Sequence, residues 1–105
     1  MNDLIPFEKN ELSAQVKIQA GLLQKSPFEV HLDFRLEGPL DHWLCPSPEE
    51  PLRQDELWKS TCFEAFLEQK NGAYVEINCS PSGHWNAYEF DSYRKNMRPA
   101  EHITV

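Results

Sequence analysis

Phe28-Glu29-Val30-His31-Leu32-Asp33-Phe34-Arg35-Leu36 alternates apolar and polar residues without a break. Successive side chains on an extended chain point to opposite faces, so this stretch predicts a half-buried strand with Phe28, Val30, Leu32, Phe34 and Leu36 on one core. Gly38-Pro39 closes it, because neither residue continues a ladder. Upstream, Leu12, Ala14, Val16, Ile18 and Ala20 alternate with Ser13, Gln15, Lys17 and Gln19, which predicts another strand that Gly21 ends or kinks.

The same period recurs downstream. Over residues 61–68, Thr61, Phe63, Ala65 and Leu67 take one side and Cys62, Glu64, Phe66 and Glu68 the other. Lys70-Asn71-Gly72 is a hairpin signal, with Asn-Gly suited to the positive φ of a type I′ turn. Residues 73–80 follow, with Ala73, Val75, Ile77 and Cys79 opposed to Tyr74, Glu76, Asn78 and Ser80. After the turn residues Pro81-Ser82-Gly83, residues 84–91 set Asn86, Tyr88 and Phe90 against Trp85, Ala87 and Glu89. Residues 92–98 have little periodicity and predict a short helical turn, and residues 101–105 read as the start of another strand. No stretch reads as an amphipathic helix of three or more turns. Five or six strands separated by turns predict an all-β chain, an antiparallel sandwich or barrel.

Residues 39–56 form a long Pro-rich connection carrying Pro39, Pro46, Pro48 and Pro51 and mostly acidic charge. Proline lacks the N–H donor of a ladder, so a solvated loop is expected there. The chain has 105 residues with 10 Lys+Arg and 17 Asp+Glu, a net charge of −7, and 40% hydrophobic residues. That length fits one domain, residues 1–105, with one modest core. Net acidity argues against a nucleic-acid partner, since phosphate contacts need clustered Lys and Arg. No apolar run approaches the roughly 20 residues that span a bilayer, which argues against a membrane partner. No secretory signal is visible at the N-terminus, so the expected location is cytoplasmic. Cys45, Cys62 and Cys79 are read as free thiols, since no close Cys or His pair offers a metal site; no metal or cofactor is expected.

The densest run of distinctive residues is Leu57-Trp58-Lys59-Ser60-Thr61-Cys62-Phe63-Glu64-Ala65-Phe66-Leu67, a hairpin, and then Tyr74-Val75-Glu76-Ile77-Asn78-Cys79-Ser80-Pro81-Ser82-Gly83-His84-Trp85-Asn86-Ala87-Tyr88-Glu89-Phe90-Asp91 with Tyr93-Arg94. As a combination it resembles the bacterial DOMON-like family, which is related to family-9 carbohydrate-binding modules. The resemblance runs over about residues 10–105 and is strongest over residues 57–94. It implies a jelly-roll-like antiparallel β-sandwich. Domains of that family are longer, so the resemblance implies that this chain corresponds to an N-terminal portion, for which an open sheet edge and self-association are expected.

In the sugar-binding relatives a tryptophan stacks on the sugar face, and a carboxylate close behind it accepts hydrogen bonds from hydroxyls. Trp58 and Glu64 fall on those positions. Flat aromatics match the C–H face of a sugar, and fixed polar groups match its hydroxyl rim. Glu76 and Asn78 share a face with Glu64 if the two strands pair through Asn71-Gly72, and Trp85 completes the expected ligand-binding set. By alternation Trp85 and Tyr88 face opposite ways. Arg94 is expected to pair with Asp91, and His84 to sit at the surface. Two carboxylates on one face are also the equipment of a glycosidase. Carboxylates are frequent on strands, however, and the expectation is a non-catalytic module for a carbohydrate or similar polar small molecule. Two alternatives stand beside it. One is a haem-binding redox domain, which some DOMON relatives are, using Met97 or Met1 with His31, His42, His84 or His102. The other is an interaction domain with a different ligand.

Overall fold

The period-2 patterning is realised as two antiparallel sheets in a computed structural model, which describes residues 1–39 and 50–105. The chain is nearly all β, as its alternation predicts. Internal contacts divide it into two compact units, Met1–Trp43 and Leu44–Val105. Residues 40–49, with His42, Cys45, Pro46 and Pro48 of the expected loop, lie outside the described residues.

The first unit is a three-stranded meander of β1 (Asn2–Asp3), β2 (Lys17–Ser26) and β3 (Glu29–Glu37), with one short helix, α1 (Glu11–Gln15). The helix corrects the expectation of a strand beginning near residue 12. Asn10 accepts from the Ser13 N–H at 2.9 Å, and Ser13 Oγ accepts from the Asn10 N–H at 2.8 Å. This reciprocal cap satisfies orphan donors at the helix start and outweighs the short alternation. β2 takes over at Lys17 and runs through Gly21, which neither ends nor kinks it; the Met1 side chain lies on that glycine.

β2 and β3 pair Ile18 with Leu36, Ala20 with Phe34 and Leu22 with Leu32, so one face of the pair is apolar. That face is only half covered. Leu32, Phe34 and Leu36 are partly buried, whereas Phe28 in the β2–β3 turn is 98% exposed and Val30 is exposed too. The expectation that all five share one core is therefore corrected: Leu32, Phe34 and Leu36 share a half-buried face, and Phe28 and Val30 are exposed. The alternation identified the face, but Phe28 lies in the turn rather than in β3.

The second unit holds β4 (Phe63–Glu68), β5 (Tyr74–Cys79), β6 (Trp85–Phe90) and β7 (Arg98–Pro99), in that order across the sheet. Both hairpins use the same five-residue device. Gln69 N–H donates to Ala73 C=O and Gly72 N–H to Gln69 C=O; Ser80 N–H donates to His84 C=O and Gly83 N–H to Ser80 C=O. In each loop the glycine takes the positive φ, 89° at Gly72 and 99° at Gly83. Asn71 is not left-handed, so this is not the type I′ turn expected; its side chain instead accepts from Ala73 N–H at 3.0 Å. An Asx side chain bonding two residues on stabilises such a turn, and only glycine takes the next position without strain.

Residues 92–98 do not form a helical turn. They make a tight loop with Ser92 bridged to Lys95 and left-handed residues at Arg94 and Asn96. The next strand is Arg98–Pro99 rather than residues 101–105, and its proline sits on the sheet edge.

The core lies on β5 and β6. Ile77, Trp85, Ala87 and Tyr88 are buried, with Leu57 and Ala100 beside them. None of the described residues of the first unit reaches that burial. Truncating Ile77 to Ala should therefore lower unfolding free energy by about 2–4 kcal/mol. Phe28→Ala should change it by less than about 0.5 kcal/mol. Urea denaturation of both variants checks the contrast.

Candidate ligand-binding cleft

Register decides which side chains meet. β4, β5 and β6 align Glu64 with Asn78 and Asn86, Phe66 with Glu76 and Tyr88, and Glu68 with Tyr74 and Phe90. Directly paired residues share a face, so all nine lie on one side of the sheet. Phe63, Cys79 and Trp85 lie on the other side, with Ala65, Ile77 and Ala87.

The first face carries a cleft of about 490 Å³. Its floor is Phe66, Tyr74 and Phe90, with Glu64 and Glu76 among them. Tyr74 and Phe90 are stacked, with ring centroids 4.6 Å apart and planes 11° from parallel, and Phe66 lies 6.1 Å from Tyr74. Trp58 forms one wall and Tyr93, Arg94 and Met97 another.

Each wall is fixed by its own network. Trp58 belongs to a 3-10 turn, Leu57–Lys59, anchored by buried Leu57. Its ring meets Tyr88 edge-on at 6.0 Å and remains 46% exposed. Just ahead of the turn, Tyr88 Oη donates to Asp55 at 2.7 Å, and Asn86 Nδ2 donates to the same Asp55 oxygen at 3.0 Å. Burial first, and the Asp55 carboxylate second, hold the Tyr88 phenol well above its ordinary pKa, so it stays a donor.

The Tyr93–Arg94 wall is held by the loop after β6. Arg94 N–H donates to Tyr74 Oη at 3.1 Å. Asp91 accepts from Asn96 at 2.7 Å and from Arg98 at 2.9 Å. Those bonds, Asn96 first and Arg98 next, hold its carboxyl below the usual range. The partner of Asp91 is thus Arg98, not Arg94 as expected; the guanidinium of Arg94 lies 5.1 Å from the centroid of the Tyr93 ring.

Of the five residues expected in the site, Trp58, Glu64 and Glu76 line the cleft together. Asn78 and Trp85 do not, and each is a correction. Asn78 is on the right face but 0% exposed, and the turn carrying Leu57 packs against its strand. Trp85 is on the opposite face, buried under the Arg53 guanidinium at 4.4 Å. His84 is buried rather than at the surface, with Nδ1 accepting from Leu52 N–H at 3.2 Å. Phe66, Tyr74 and Phe90 were not among the expected site residues. Combining the three alternations through the two turns brings them together, so that signal was available. Tyr93, Arg94 and Met97 lie in a loop without periodicity and carried no such signal.

Neither Glu64 nor Glu76 has a hydrogen-bond or ion-pair partner among the described residues. They are diagonal neighbours on adjacent strands, a spacing of about 7–8 Å. Burial, and then the charge of Glu64, raise the pKa of Glu76. Cys62 is a free thiol pushed up to about 11 by burial and by Glu64, which keeps it protonated and a poor nucleophile at neutral pH. Among the described residues no group of three or more His, Cys, Asp and Glu side chains could hold a metal ion, and no helix is long and apolar enough to cross a membrane.

A second cleft, of about 250 Å³, lies in the first unit against Leu4, Ile5, Val16 and Ile18. It is apolar and below the usual size of a ligand site.

A raised carboxyl pKa means that the folded state binds the proton more tightly than the unfolded chain does. The resulting destabilisation is present above the folded-state pKa and disappears as pH falls through the carboxylate range. Glu76→Gln should accordingly raise the thermal midpoint at pH 7 and leave it unchanged in acid, as scanning calorimetry at the two pH values can show. Asn78 Oδ1 and Nδ2 have no hydrogen-bond partner among the described residues. Asn78→Val removes that buried polar group and should raise unfolding free energy by about 1 kcal/mol.

Comparison with protein-family models, with curated proteins and with solved structures returns no match for this chain.

Proposed function

We propose that the chain is a non-catalytic binding module for a carbohydrate or a similar polar small molecule, and that the cleft on the β4–β5–β6 face is its site. The observation that carries this reading is the combination, in one concave surface, of the rings of Trp58, Phe66 and Tyr74 with the carboxylates of Glu64 and Glu76, which have no partner among the described residues. A pyranose ring presents C–H groups on its faces and hydroxyls on its rim. Exposed rings supply area for the first, and acceptor carboxylates bind the second. The volume falls within the usual range of ligand sites. Trp58 and Glu64 are also the two residues that the DOMON-like resemblance implies for stacking and hydrogen bonding.

The two carboxylates with one raised pKa also fit a general acid beside a base, so products should be sought alongside binding. A haem would need an axial ligand as well as an apolar pocket, and the described lining residues include Met97 and no histidine.

A glycan array with the 105-residue chain tests the reading, with Trp58→Ala and Tyr74→Ala as variants. Both should lose most of the binding, by about ten-fold or more, with circular dichroism unchanged. A folded Trp58→Ala variant that binds like the parent would overturn the assignment.

A further inference from the structure

The cleft does not end at the residues described so far. A neighbouring recess of about 240 Å³ shares Phe66, Tyr74 and Tyr93 with it and continues to Glu68 and Gly72. Together they form one groove along β4, about 14 Å from Glu64 to Glu68 at ~3.4 Å per residue. Its carboxylates, Glu64, Glu76 and Glu68, are spaced along the groove between aromatic rings. None of the three has an ion-pair or hydrogen-bond partner among the described residues. Arg94 is the one cation among the described lining residues, and it is laid over the Tyr93 ring. Outside the lining, Lys59 is engaged with Glu56 at 2.9 Å, and Arg98 with Asp91 and Glu89.

A neutral sugar needs hydrogen-bond acceptors, but amides or hydroxyls serve it without mutual repulsion. Three unpaired carboxylates, against one cation, in a groove walled by π-faces are better matched to positive charge. Both the carboxylates and the negative faces of the rings attract a cation. The raised pKa of Glu76 beside Glu64 has the same sense, since a bound cation would relieve that repulsion.

We propose that the groove selects ligands bearing protonated amines at successive positions, short oligosaccharides of amino sugars with free amino groups. This rests on the carbohydrate reading and narrows it. The pyranose faces lie on Trp58, Phe66 and Tyr74, and the ammonium groups lie against Glu64, Glu76 and Glu68.

The test is calorimetric titration of the 105-residue chain with three probes: glucosamine oligomers, the N-acetylated oligomers of the same length, and spermidine. The acetylated probe keeps the ring and removes the charge. The free-amine oligomer should bind at least about ten-fold more tightly than its acetylated counterpart, a difference of ~1.4 kcal/mol. The preference should fall as salt is raised. The Glu64→Gln, Glu76→Gln double variant keeps the shape and an acceptor at each position, and in it the ratio should fall several-fold toward one, with Glu68 retained. Equal or tighter binding of the acetylated oligomer would overturn this proposal and leave the carbohydrate reading standing. Spermidine binding with no binding of either sugar would overturn the amino-sugar assignment while keeping the groove's preference for cations. Binding of none of the three would overturn the amino-sugar assignment, and the glycan array then decides the carbohydrate reading separately. The contrast between probes is read on the parent chain, so it does not depend on the variant folding.

Discussion

The Arg53 side chain holds together the part of the second unit on which the cleft rests. Its guanidinium stacks over Trp85, donates to Asn86 Oδ1 at 2.9 Å, and reaches the carbonyl oxygens of Ala100 at 3.3 Å and Ile103 at 2.6 Å. Around it, Trp85 N–H donates to Leu52 C=O and Gln54 N–H to Trp85 C=O, while Ala100 N–H donates to Ala87 C=O. Two short segments, from before β4 and after β6, therefore cover the outer edge of β6. One planar cation with several donors ties both to it. An edge strand covered in this way presents fewer unpaired groups to another chain.

The consequence for the cleft is positional. Once Leu52, Arg53 and Gln54 run beside β6, Asp55 falls where it accepts from Tyr88 and Asn86. The 3-10 turn then begins at Glu56, a left-handed residue, and delivers Trp58 onto the edge of Tyr88. Trp58 is exposed because its backbone is held from below by Leu57. A stacking platform needs this combination, since an unsupported exposed tryptophan would have to be ordered at the moment of binding. The opposite wall follows the same logic, with Asp91 gathering Asn96 and Arg98 so that the loop presents Tyr93 and Arg94.

The two units differ in how much they bury. β6 is buried at five of its six positions and β5 at two of its six, including polar residues, whereas β2 and β3 stop at half burial. Asn78 is the point of tension. It is fully buried on the cleft face with an amide that finds no partner among the described residues. Such a group destabilises the fold unless it is satisfied. It lies directly across from Glu64, so the same short region holds a carboxylate and an amide that both lack partners among the described residues. Polar groups left without partners in one place are the sign of a surface arranged for something other than stability alone.

The sequence by itself determined the class of structure and the two faces of its sheets. Alternation is a local property, and it located β3 through β6 and, through the Asn71-Gly72 turn, the shared face of Glu64, Glu76 and Asn78, because side-chain direction on a strand follows from parity alone. It failed where another local signal competed, as at Asn10 and Ser13, whose reciprocal hydrogen bonds started a helix inside an alternating stretch. Burial was not legible, because it depends on what lies across from a face. Asn78 and Glu76 have the same parity, yet one is sealed beneath the turn and the other lines the cleft. The role of Arg53 was equally hidden. It sits in a proline-rich, acidic stretch that reads as solvated loop, and its partners lie 32 to 50 residues away at Trp85, Asn86, Ala100 and Ile103. Only the tertiary structure could bring those groups together, since hydrogen bonds of that range are chosen by the closure of the sheet and not by any period in the chain.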